Sequence, residues 1–271
     1  MLKANKLELQ NLEFKENRMT KTIFITGPST GLGRATAILF ASRGWNVLAT
    51  MRNPSLARDL HGVPNLTLMQ LDDTDTGQIQ SVAAQAIDLG GVDVVFNNAG
   101  YGLNGPLERI SDEQLVERVN TNLLGVIRVT KAFVPYFRAR GNGMFITTTS
   151  IDGLAGVPLN SAYHATKWAL EGWSENMAFE LNQMGIEIKT VSPGFINTDF
   201  AGGLLDTPSH PAHDEMALKI AVTMKNVGQA ASASTAEQIA EVVFETAWEK
   251  STARSGVPRS KSNLCTTAGS R

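Results

Sequence analysis

Thr22-Ile23-Phe24-Ile25-Thr26-Gly27-Pro28-Ser29-Thr30-Gly31-Leu32-Gly33 is the stretch on which the reading of the fold turns. Its first five residues are a short apolar, β-branched run, the composition of a buried strand. A glycine-rich turn follows, then an apolar helical pattern over residues 32–43 that Gly44 closes. Strand, turn and helix in that order bring the free N–H groups of a helix N-terminus to the end of a strand. Such a corner suits a phosphate, because those N–H groups and the helix dipole favour an anion and glycine lets it approach closely.

Working outward, the alternation continues. Strands are expected near residues 46–50, 66–71 and 92–96, with a helix at 78–89 between the last two. Ser111 and Gln114 have the spacing of a capping box and open one long helix to about residue 140. A strand at 144–149, a helix at 162–184 and a strand at 187–191 come next. Strands separated by helices predict an α/β fold: a single Rossmann-type, doubly wound parallel sheet with helices on both faces.

Residues 1–20 share no pattern with the alternating strands and helices and are expected to lie outside the core. The catalytic domain is expected to span 21–250, with an irregular insertion at about 199–235. That insertion contains Gly202, Gly203, Pro208 and Pro211 and a helical piece at 214–225, and it reads as a substrate lid. A last helix spans 236–250, and the tail 251–271, rich in Ser, Thr, Gly and Arg, is expected to be irregular.

The glycine turn spaces its glycines as Gly27, Gly31 and Gly33, which differs from the Gly-x-Gly-x-x-Gly dinucleotide fingerprint, although its strand-to-helix setting is the same. In the common dinucleotide fold a carboxylate about 20 residues beyond the glycines holds the ribose 2′-hydroxyl. Here the second strand ends Ala49-Thr50-Met51-Arg52-Asn53, with a guanidinium instead. Arg52 matches a 2′-phosphate, which favours NADP(H) over NAD(H).

Further along, Tyr163 stands thirteen residues after Ser150, and Lys167 four residues after Tyr163. Four residues is about one helical turn, so Tyr163 and Lys167 share a face, and a loop can bring Ser150 to them. A phenol of pKa about 10 ionises more readily beside an ammonium. A serine hydroxyl supplies a hydrogen bond to an oxygen that becomes negative.

With these residues in order, the chain resembles the short-chain dehydrogenase/reductase family over about residues 21–250. The resemblance rests on the turn Thr26 to Gly33, on Asn97-Asn98-Ala99-Gly100, on Ser150, on Tyr163 with Lys167, and on Pro193-Gly194 followed by Thr198. It implies Tyr163 as general acid or base, Lys167 lowering the tyrosine pKa and holding the nicotinamide ribose, and Ser150 bonding the substrate oxygen. Asn122, in Asn122-Leu123-Leu124-Gly125, matches the asparagine that distorts its helix and positions a water of a proton relay; Asn120 is the nearby alternative. The cofactor-binding set it implies is Gly27, Ser29, Thr30, Gly31, Leu32, Gly33, Arg52, Asp72, Asn98, Ala99, Gly100, Tyr163, Lys167, Pro193, Gly194 and Thr198. Pro28 removes one backbone donor from the turn, and Thr30 stands where many NADP-using members carry a basic residue.

The 24 basic and 26 acidic residues are interspersed, without the basic cluster of a nucleic-acid or anionic-membrane binder, so neither partner is expected. No run approaches the roughly 18 apolar residues of a spanning helix. Cys265 is alone, which excludes an internal disulfide and a cysteine-based zinc cluster. His210 and His213 lack a supporting ligand cluster and read as surface residues, so no metal is expected. Leu154, Leu159, Phe195, Phe200, Leu204, Leu205 and Met216 offer walls for an apolar pocket, or core and lid packing.

The expectation is a cytoplasmic oxidoreductase that uses NADP(H) on a small carbonyl or alcohol substrate. A homodimer or homotetramer is implied by the resemblance. The alternative is a dinucleotide-binding regulator that keeps the fold without turnover.

Overall fold

The computed structural model describes residues 20–196, 209–229, 234–248 and 262–265. Its strands are β1 (Thr22–Thr26), β2 (Asn46–Met51), β3 (Leu66–Gln70), β4 (Val94–Asn97), β5 (Gly143–Thr148), β6 (Ile186–Pro193) and β7 (Ser262–Cys265). The α-helices among the described residues are α1 (Gly31–Ser42), α2 (Thr76–Asp88), α3 (Asp112–Val119), α4 (Val126–Arg140), α5 (Ser161–Asn182), α6 (Asp214–Gln229) and α7 (Ala236–Trp248).

The strands form one parallel sheet in the order β3-β2-β1-β4-β5-β6-β7. β1 is buried along its whole length, as its apolar composition demands of a strand paired on both sides. Successive side chains point to opposite faces. Ile23 and Ile25 therefore enter the layer formed with Phe40 of α1 and Val243 of α7. Phe24 enters the opposite layer, its ring 4.9 Å from that of Phe133 on α4. The chain winds outward in both directions from β1 and β4, so a crevice opens beyond their carboxyl ends, where a doubly wound sheet binds ligands.

The expected long helix is interrupted. Its start is as read, with Gln114 N donating to Ser111 Oγ at 3.3 Å and Ser111 N donating to Gln114 Oε1 at 3.0 Å. Residues Asn120–Gly125 then form a π-helical segment between α3 and α4. Periodicity alone does not reveal this widening, because one extra residue in a turn leaves the apolar pattern on either side intact.

The tail also departs from expectation. Ser262–Cys265 form β7, paired in parallel with residues Thr190 to Pro193 of β6. Ser-Asn-Leu-Cys carries little strand propensity of its own; the backbone edge of β6 supplies the pairing that four residues cannot specify locally. Within the insertion, α6 runs four residues beyond the helical piece expected to end at 225. Ile196, just beyond β6, and Ser234, just before α7, form an isolated parallel bridge. The opening segment 1–19 lies outside the described residues.

Candidate active site

The glycine turn is set by contact as well as by conformation. Gly27 and Gly31 have φ of 66° and 55°, in the left-handed region. A Cβ on Gly33 would lie 2.4 Å from Gly27 O and 2.5 Å from Asn98 Nδ2, so no side chain fits there. Across the crevice Thr26 Oγ1 accepts the N–H groups of Asn98 and Ala99 at 3.0 and 3.1 Å. Asn98 Nδ2 returns bonds to Thr26 O and Gly27 O at 3.2 and 3.1 Å. These bonds tie the end of β1 to the end of β4. Thr30, preceding α1, makes no side-chain cap bond to the first turn, and Gly31 and Leu32 line the cavity. The first-turn N–H groups are thereby left for a ligand, the arrangement that receives a pyrophosphate. The backbone cradle and the open helix end fit a dinucleotide.

Arg52 lies just beyond β2 and lines the same cavity, with Asp72 and Asp73 beyond β3. Thr74 donates to Asp72 Oδ1 through its N–H at 2.9 Å and its hydroxyl at 2.7 Å. The hydroxyl bond is the main reason the Asp72 carboxyl stays below the usual range, and the Arg52 charge adds to it. Asp73, which sequence reasoning passed over, is pushed up to about 6 by burial, with the Asp72 charge in the same direction.

The π-helical segment delivers Asn122 to the centre of the site. Fully buried, Asn122 accepts Tyr101 N at Oδ1 (3.1 Å) and donates from Nδ2 to Tyr101 O at 3.0 Å. Nδ2 also lies 3.4 Å from Thr166 Oγ1 on α5. Asn120, the alternative, lines the cavity without these bonds. A Cβ on Gly100 would stand 3.1 Å from Asn122 Oδ1 and 4.0 Å from Lys167 Nζ, so the bare glycine leaves both groups room around it.

Ser150, Tyr163 and Lys167 converge here. Ser150 follows the end of β5, while Tyr163 and Lys167 lie one turn apart on α5 and are buried. Ser150 hydrogen-bonds the Tyr163 hydroxyl. Lys167 Nζ lies 5.7 Å from the Tyr163 ring centroid and donates to Thr148 O at 2.7 Å. Burial pushes the Lys167 ammonium down to about 8, against the opposing pull of the Glu171 and Asp152 carboxylates.

Tyr163 shifts against expectation. Burial pushes its phenol above the usual range and the Asp152 charge adds to this, while the Ser150 bond and the Arg118 charge oppose. The neighbouring ammonium was expected to lower it. In this protein desolvation outweighs the Ser150 bond and the Arg118 charge, and Lys167 is bonded to a carbonyl.

Sequence reasoning also missed Arg118, Asp152, Asn160 and His164. Arg118 is buried against Tyr101, its Cζ 3.4 Å from the ring centroid, and donates to Tyr101 O. An arginine within the long helix expected to run to about residue 140 reads as surface, so the sequence carried no signal for its burial.

A cavity of about 1410 Å³ joins the glycine turn to Ser150 and Tyr163. Ser29, Thr30, Pro193, Gly194, Phe195 and Ile196 line it, as do Thr223 and Lys225 of α6. Of the expected apolar set, Leu154 and Met216 are exposed, and Phe200, Leu204 and Leu205 lie outside the described residues, as does Thr198. His213 meets Glu108 at 3.0 Å, away from the cavity lining.

The family model described as short chain dehydrogenase matches residues 21–208. Oxidoreductase BOA17 of Botryotinia fuckeliana is 38% identical over 195 residues, which cover 70% of this chain and 71% of the relative. A 3-ketodihydrosphingosine reductase of Bacteroides thetaiotaomicron is 36% identical over 179 residues, 66% of this chain and 65% of the relative. Among solved structures, ElxO with NADP bound superposes with a TM-score of 0.73 at 25% identity, covering 86% of this chain and 93% of that one. The dinucleotide corner, the parallel sheet around it and these similarities lead to one conclusion: the chain is an oxidoreductase of the short-chain dehydrogenase family.

Proposed function

We propose that the protein is an NADP(H)-dependent carbonyl reductase or alcohol dehydrogenase acting on an apolar substrate, with Tyr163 as its general acid or base. The convergence of Ser150, Tyr163, Lys167 and Asn122 at one end of the dinucleotide cavity carries the reading.

When bound, the nicotinamide supplies or accepts the hydride. The chain's own residues handle the oxygen and its proton. Ser150 donates a hydrogen bond to the substrate oxygen as negative charge develops there. Tyr163 gives that oxygen its phenolic proton during reduction or removes it during oxidation. Lys167 places a cation behind the ring as the proton leaves, and Asn122, held between Tyr101 and Thr166, aligns a path for its replacement.

Arg52, at the cavity edge beyond β2 with no carboxylate in its place, supports NADP(H) over NAD(H). The similarity to ElxO with NADP bound agrees with that choice, and the similarity to a 3-ketodihydrosphingosine reductase agrees with carbonyl reduction. Val157, Phe195 and Ile196 in the lining support an apolar substrate body. Val116 and Val119 on α3, with Trp168 and Phe179 on α5, expose apolar surface that suits a homo-oligomer.

The test is NADPH oxidation across steroids, retinoids, quinones, sugars and small ketones. Turnover on apolar ketones is expected; tight NADPH binding with no turnover on any compound would replace the enzyme with a dinucleotide sensor.

A further inference from the structure

Two residues beyond Ser150 the chain carries a carboxylate that hydride transfer does not use. Asp152, in the 3-10 turn Ile151–Gly153, lines the same cavity as Ser150 and Tyr163 and keeps 18% of its side-chain surface. Asn160 Nδ2 donates to its Oδ2 at 3.0 Å, and His164 Nε2 stands 3.6 Å from the same oxygen. Oδ1 has no hydrogen-bond partner among the described residues and is not sealed from the cavity. One carboxylate oxygen is therefore anchored from behind, and the other remains open.

The anchoring comes from one helix end. Asn160 immediately precedes α5 and His164 lies one turn further on, so both reach the loop that carries Asp152. Each is more than nine-tenths buried, and neither Asn160 Oδ1 nor His164 Nε2 has a hydrogen-bond partner. Orphaned buried polar atoms are destabilising, and apolar residues of similar shape would avoid the penalty. The turn itself does not require the carboxylate. The contact that shapes the loop is made by the Asp152 backbone N–H, which donates to Ser150 Oγ at 3.1 Å, and any residue supplies that. The carboxylate also lies within electrostatic reach of both Tyr163 and Lys167. A substrate whose carbonyl oxygen meets Ser150 and Tyr163 thus brings its adjoining carbons towards Asp152.

We propose that Asp152 is a specificity-determining residue whose carboxylate, held by Asn160 beside His164, receives a hydrogen-bond donor, a hydroxyl or an ammonium group, borne by the substrate beside its reacting carbonyl. The proposal rests on the carbonyl-reductase reading. A hydroxyl or ammonium satisfies the open oxygen on entry, and the ammonium adds attraction between charges. A plain methylene in the same place desolvates the carboxylate and returns nothing.

Three ketones that differ at one carbon near the carbonyl, bearing hydrogen, hydroxyl or primary amine, test this with NADPH. The native protein is expected to show kcat/KM at least about tenfold higher for one or both donor-bearing ketones than for the plain one, the scale of a hydrogen bond to a charged group. In Asp152→Ala that ratio falls to within about threefold. Asp152→Asn, which keeps the shape of the side chain, loses any preference for the amine. Reading ratios within each variant separates specificity from general loss of activity. Turnover of all three ketones at similar kcat/KM by the native protein overturns the subsite alone, as does a ratio that survives Asp152→Ala. No turnover on any ketone overturns the reductase reading and the subsite with it.

Discussion

Replacing Lys167 by methionine should stabilise the folded protein near neutral pH while disabling it. The ammonium is buried at 4% exposure, and burial holds its pKa at about 8 against an ordinary 10.5. At about 1.4 kcal/mol for each tenfold change in proton affinity, that difference is a penalty of about 3 kcal/mol on the charged folded form. The folded-state pKa lies below the unfolded one, so the unfolded chain binds more protons between the two values. The penalty is full below pH 8 and fades as pH rises towards 10.5.

Methionine fills similar space without the charge, but it leaves Thr148 O without the bond Lys167 gives it at 2.7 Å, a loss of about 1 kcal/mol. A net gain of about 2 kcal/mol at pH 7 should raise Tm by roughly 4–8 °C in a chain of this size. Melts of Lys167→Met and the native protein from pH 6 to pH 10 provide the check. The gap should narrow above pH 8. A variant that melts below the native protein at pH 7, or a gap that ignores pH, would refute the claim that burial dominates this lysine.

Two other substitutions probe the ends of the site. Arg52→Ala should lower the ratio of NADPH to NADH affinity by at least about tenfold in fluorescence titrations; an unchanged ratio would remove the phosphate assignment. Asn122→Ala leaves the Tyr101 N–H and C=O without their side-chain partners and frees the π-helical segment. It should cost about 1–3 kcal/mol in denaturant unfolding together with much of the turnover, and unaltered stability would show that the segment does not depend on that clamp.

Local chemistry made the dinucleotide corner legible. Gly27, Gly31 and Gly33 are dictated by backbone conformation and close approach within a few residues, and Tyr163 and Lys167 by one helical turn. The strand-helix alternation likewise showed in the apolar pattern, since each strand of the sheet's interior is buried on both faces. What stayed hidden depends on contacts far apart in sequence. β7 forms because β6 offers an edge, about seventy residues earlier. The upward shift of Tyr163 depends on burial that no spacing records. Asp152 is set apart only by Asn160 and His164, which stand against one of its oxygens from the far side of the loop. Asp73 passed unnoticed beside Asp72 because only its burial distinguishes it.

Tyr163→Phe removes one oxygen atom from the site and leaves the ring that fills it. Single-turnover reduction of a ketone substrate by the NADPH-loaded protein, with melting and NADPH affinity measured alongside, tests Tyr163 as the proton donor most directly. A rate about 10²–10⁴-fold below the native protein, with fold and cofactor binding retained, is the result expected of a general acid. A rate within a few-fold of native would contradict it and move the proton transfer to another group.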